Sequence, residues 1–162
     1  KASLDYYDEV RRQALTADRT ELNAMALGKR MTVLGMRLRM TSAELQRMSG
    51  RDLFVYAVDK GWIGKNSAAD EGIGKLTITG DHARAEATKS GKAAGVYYHF
   101  IKEDGVWRWD MMQVMSFGNA AFDALRKRSG LSEDQFLVQT LENITGKKVT
   151  ADLWNAPVPA AK

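Results

Sequence analysis

Apolar side chains return at steps of three and four through the first forty residues. Leu4, Tyr7, Val10 and Leu15, behind a capping Ser3, predict one amphipathic helix, and Leu27, Met31, Leu34 and Leu38, in a segment opened by Thr20, predict a second. Over residues 33–40 the same chain also alternates Leu34, Met36, Leu38 and Met40 with Gly35, Arg37 and Arg39, which is the period of a strand. Helix is the favoured assignment there. Thr41 and Glu44 have capping-box spacing, and Ser49 precedes a helix over residues 50–60 that Gly61 stops. The glycine-rich run from Trp62 to Gly74 reads as a loop. Its GWIGKNS stretch is not a phosphate loop, because Gly61 and Gly64 stand too close together and Asn66 occupies the Ser/Thr position.

From residue 73 to 116 the period shortens to two. Ile73, Leu76 and Ile78 lead into the turn Thr79-Gly80-Asp81, and Ala83, Ala85 and Ala87 then alternate with polar residues. In GVYYHFIKEDGVWRWDMM, residues 95–112, Asp104-Gly105 is a strong hairpin signal, since a type I′ turn needs positive φ at both central positions. A two-residue turn there sets Ile101 opposite Arg108, His99 opposite Asp110 and Tyr97 opposite Met112. One surface then carries Val96, Tyr98, Phe100, Trp107, Trp109 and Met111, a wall of large apolar groups. The other carries Tyr97, His99, Ile101, Arg108, Asp110 and Met112.

After Met115 helical spacing resumes. A helix from Asn119 to Ser129 is stopped by Gly130, and a second, capped by Ser132 with Gln135 at the box position, carries Leu137, Leu141 and Ile144 and ends at Gly146. The remainder, through Trp154 and Pro157 to a small-residue tail, reads as extended and frayed at its end. Helices, an antiparallel meander and further helices predict an α+β fold in one domain, residues 1–162, with helices packed on the sheet.

Composition narrows the function classes. The chain has 162 residues, of which 44% are hydrophobic and 27% charged, an ordinary globular balance. No apolar run approaches the ~20 residues of a membrane span. The net charge of +4 is dispersed, with no basic stripe interleaved with aromatics, so nucleic acid is not an expected partner. Cysteine is absent, His82 and His99 show no metal-ligand spacing, and no motif calls for a cofactor. A GxSxG elbow is also missing. Met25, Met31, Met36 and Met40 read as core filler, although methionine also lines adaptable pockets. The first residue is Lys1, which suits an exported bacterial protein whose signal peptide has been removed and equally a trimmed cytosolic one. Periplasmic or secreted placement is slightly favoured.

The polar face of the hairpin is the one constellation with candidate chemistry. A carboxylate at Asp110 would orient the His99 ring and favour its protonated form, as a general acid or base requires. The plainer reading stands beside it: His–Asp and Arg–Asp pairs on an exposed sheet face are ordinary cross-strand pairs. His82, next to Asp81 at a turn, reads as solvated.

The order helix, helix, short helix with SGRDLF, then a meander closing with DGVWRWD resembles the nuclear transport factor 2-like superfamily, which includes ketosteroid isomerase-like and SnoaL-like proteins. The resemblance covers residues 3–116. It implies a cone-shaped α+β fold whose curved antiparallel sheet wraps the N-terminal helices and leaves a pocket. Residues 117–157 would then be a C-terminal helical extension, its TGKKVTADLW phrase resembling that of some bacterial members. The resemblance puts Tyr97, His99, Asp110 and Met112 on the pocket side, with Arg108 beside them. The isomerase's acidic position falls near Tyr97, which is no carboxylate. The expectation is therefore a non-catalytic domain binding a small apolar or amphipathic ligand or another protein, with a homodimer through the sheet. The alternative is a metal-independent lyase or isomerase in which His99 is the acid/base, Asp110 its orienter and Tyr97 a donor to an oxyanion. The C-terminal segment is expected to cover the aromatic wall, which otherwise suits a dimer interface.

Overall fold

The computed structural model describes residues 2–62 and 71–158, the side chains of Val114 and Phe117 excepted. It is α+β. The helices are α1 (Ala2–Thr16), α2 (Arg19–Ala24), α3 (Leu27–Arg39), α4 (Ser42–Arg47), α5 (Gly50–Asp59), α6 (Met111–Ser129) and α7 (Glu133–Thr145), and the strands β1 (Glu71–Thr79), β2 (His82–Lys89), β3 (Lys92–Glu103) and β4 (Val106–Trp109). A short 3-10 helix follows at Ala151–Trp154. Contacts gather into two compact units, a helical one formed by residues 1–54 and 116–162 and a sheet unit over residues 55–115.

The helical unit is built on α3. Tyr7, Val10, Ala14 and Leu15 of α1, Met31, Val33, Leu34 and Met36 of α3, and Leu137 and Leu141 of α7 are buried together with Leu22, Leu45 and Leu53. The ambiguous stretch 33–40 is thus helical up to Arg39, and Met31, Met36 and Met40 are core residues. Local polar groups set the helix ends. Thr41–Glu44 and Ser132–Gln135 form capping boxes where the spacing predicts them. Ser49 pairs with Asp52 in the same way at the start of α5.

Several boundaries differ from the sequence reading. Ser3 caps nothing, because α1 is already running at Ala2. The expected second helix is two: Asp18, not Thr20, caps α2, and the chain breaks at Met25 and Ala26, where the buried Arg30 takes the carbonyls of Asn23 (3.0 Å) and Met25 (3.3 Å) and meets Glu133 at 3.0 Å. The tail is not extended throughout, since Ala151–Trp154 is a 3-10 helix, and its expected frayed end lies outside the described residues. Leu153 and Trp154 are buried, the Arg19 guanidinium sits 4.9 Å from the Trp154 ring, and the Val158 amide donates to Leu15.

Arg37 joins these pieces. Its guanidinium donates to the carbonyls of Gln13 (3.2 Å), Ala14 (2.8 Å) and Ala17 (2.5 Å) at the end of α1, and to those of Leu153 (3.0 Å) and Asn155 (3.1 Å). The first three lie where the helix dipole is negative, and the Gln13 carbonyl also accepts from the Ala17 amide at 3.0 Å. One cation therefore closes α1 and holds the 3-10 helix to it.

The capping carboxylates give the fold an acid limit. Hydrogen bonds from the Thr41 and Ser49 backbone amides and hydroxyls hold the Glu44 and Asp52 carboxyls below their ordinary values. A depressed carboxyl stabilises the folded state above its unfolded pKa, and that contribution is lost as pH falls through the folded value. Stability against urea is expected to be flat from neutral pH to about pH 5 and to decline below about pH 4. The decline should be smaller in a Glu44→Gln, Asp52→Asn double variant.

The sheet is antiparallel in the order β1-β2-β3-β4. Asp104 (φ 52°) and Gly105 (φ 77°) make the type I′ turn, and Ile101↔Arg108 and Phe100↔Trp109 stand in the expected register. Register shifts between Ile73 and Leu76 and between Glu86 and Thr88 break the regular pairing of β1 and β3 with β2. β1 begins at Glu71, within the stretch read as a loop. The rest of that loop, with most of GWIGKNS, lies outside the described residues. The largest correction is at the end of β4: residues 111–116 are not strand but the first turns of α6, which starts eight residues before Asn119. Met112 consequently has no place opposite Tyr97.

Candidate functional site

The sheet sorts its side chains as the period of two requires. On one face the register lines up Thr77, Arg84 and His99 across three strands, with Thr79 and His82 in the next row. These residues, with Asp110 and Gln113 at the start of α6, surround an open hollow of about 370 Å³. Both histidines of the chain line it. His82 and His99 sit on adjacent strands, one row apart, a diagonal that places Cα atoms roughly 7–8 Å from each other. The sequence does contain this signal, since the two residues share a face once β2 and β3 are paired, but the pairing register of those two strands is invisible until the turn between them is fixed.

The expected His99–Asp110 dyad is not assembled. The Asp110 amide donates to the His99 carbonyl at 2.7 Å, so the residues are opposite one another as the hairpin predicts. Their side chains share no hydrogen bond or ion pair among the described residues. Instead the Asp110 carboxylate accepts from the Met112 amide at 3.0 Å and caps α6. The sharp change from strand to helix at Trp109–Met111 thus gives Asp110 a structural duty.

The other candidates disperse. Tyr97 is 43% exposed, its ring lies 4.4 Å from the Arg84 guanidinium, and it lines a neighbouring depression with Lys75 and Glu86. Arg108 reaches Glu103 at 3.6 Å on the exposed surface. Met112 is on α6. Among the described residues no group of three His, Asp or Glu side chains is arranged to hold a metal ion. No described helix is long and apolar enough to cross a membrane.

The opposite face is apolar. Ile78, Ala83, Phe100 and Trp109 form one row, Leu76, Ala85 and Tyr98 the next, and Ile73 stands opposite Ala87. The alanines of β2 are buried, but the long side chains flanking them are not: Ile73 is 62% exposed, Ile78 55% and Trp109 43%, with Leu76, Val96 and Trp107 exposed as well. Within the helical unit the apolar stripe of α7 is spent on α3, where Leu137 and Leu141 are fully buried. Tyr98 donates to the Glu71 carboxylate and meets Trp109 edge-on at 6.1 Å, so the aromatic surface is locally ordered. Comparison with protein-family models, characterised proteins and solved structures finds no match to this chain.

Proposed function

We propose that this chain is a non-catalytic protein-interaction domain that associates through the apolar face of its sheet, its partner being a second copy of itself. The exposed run of Ile73, Leu76, Ile78, Val96, Trp107 and Trp109 supports this reading. Each square ångström of such surface removed from water contributes about 25 cal/mol, and two sheets facing at ~10 Å interdigitate side chains of this size. Charge favours a like partner. Among the described residues, charged side chains on this face stand at its ends, Glu71, Lys89 and Lys92 at one and Lys102 at the other, so a twofold pairing brings no like charges together at the centre. Resemblance to the nuclear transport factor 2-like superfamily, with its many non-catalytic members, accords with this. The Asp110 carboxylate, which the enzyme reading would use to orient His99, accepts from the Met112 amide at the start of α6, and we therefore favour the interaction domain.

Ile78→Lys places a charge at the β1 end of the apolar row. Light scattering on the eluted protein is expected to give a dimer for the unmodified chain and a monomer for the variant, with the same far-ultraviolet circular dichroism. A dimer that survives the substitution contradicts the interface assigned here.

A further inference from the structure

We propose that the polar face of the sheet holds a second, independent site, which binds a small ligand through a carboxylate or phosphate group in the hollow between His82, Arg84 and His99. Three cationic or protonatable side chains line this space with the hydroxyl-bearing Thr77 and Thr79. Asp110, the single carboxylate there, is engaged by the Met112 amide. Arg84 is the anchor. Its guanidinium stacks on Tyr97, a contact that steadies the plane while leaving the N–H fork free, and it forms no ion pair or hydrogen bond among the described residues. A planar fork with unused donors matches the two oxygens of an oxyanion, and the histidine rings on the adjoining positions add donors from the same side. The volume of about 370 Å³ suits a small molecule. The neighbouring depression shares Thr77 and Arg84 and adds Lys75 and Glu86, whose opposite charges leave Arg84 as the cation common to both spaces.

The test follows the histidine ring signals by NMR during titration with inorganic phosphate and, separately, citrate, at fixed pH and ionic strength. The His82→Gln and His99→Gln variants assign the signals. Both rings are expected to shift along one saturable curve, and Arg84→Gln to weaken binding at least tenfold while Arg108→Gln leaves it unchanged. The two probes separate the sources: tighter phosphate binding indicates a phosphate ligand, tighter citrate binding a carboxylate. Shifts that never saturate, or an equal loss in Arg84→Gln and Arg108→Gln, would mean diffuse surface charge and overturn the site. Repeating the titration on Ile78→Lys keeps the outcome separate from that of the apolar interface, since the hollow lies on the opposite face.

Discussion

Arg37→Met is expected to lower the unfolding free energy by about 3 kcal/mol, the largest effect of any single polar substitution in the helical unit. Methionine keeps most of the aliphatic stem, so the loss measures the guanidinium. Five carbonyl oxygens lose a charged donor at once. Those of Ala14 and Ala17 have no helical amide to replace it, because α1 ends at Thr16, whereas that of Gln13 keeps the Ala17 amide. Arg37→Lys is expected to recover less than half of the loss, since one ammonium has three donors and cannot span carbonyls on both α1 and the 3-10 helix. Urea unfolding of the three proteins checks this. Equal stability of Arg37→Met and the unmodified chain would show that water serves those carbonyls equally well.

Gly50→Ala is expected to cost roughly 3 kcal/mol or more, from an added methyl group alone. A Cβ at this position would stand 2.5 Å from the Asp8 amide nitrogen and 2.7 Å from the Leu4 carbonyl oxygen, both backbone atoms of α1 that cannot swing aside. The same close approach lets the Gly50 amide donate to the Asp8 carboxylate at 2.6 Å. Relief requires α5 to move away from α1, breaking that bond and the Tyr7–Phe54 ring contact at 5.3 Å. Thermal unfolding reads the effect directly. Gly118→Ala is the comparison, because nothing lies within 4 Å of its would-be Cβ and alanine is the better helix former.

What the sequence makes legible follows the range of the interaction responsible. Capping boxes at Thr41 and Ser132, and the Asp104-Gly105 turn with its register, depend on residues two to four apart and were readable. The apolar and polar faces followed from the same period of two. The start of α6 was not readable, because Met111, Met112, Val114 and Met115 satisfy a strand's alternation as easily as a helix's stripe. The choice falls to Asp110, whose carboxylate caps the helix. That single boundary also decides the candidate site: with β4 ending at Trp109, Met112 leaves the face and Asp110 turns from His99 to the helix amide. The docking of Trp154 depends on Arg19 and Arg37, more than a hundred residues earlier, which no local pattern encodes. The shared hollow of His82 and His99 likewise required the β2–β3 register.

The central claim is that the apolar sheet face is an interface between two copies of the chain. Sedimentation equilibrium of the unmodified protein over a wide concentration range tests it most directly. A monomer–dimer equilibrium is predicted, shifted to monomer by Ile78→Lys. A single monomeric species at every concentration, with its tryptophan fluorescence shielded from a soluble quencher, would mean that the chain covers this face itself and would contradict the account.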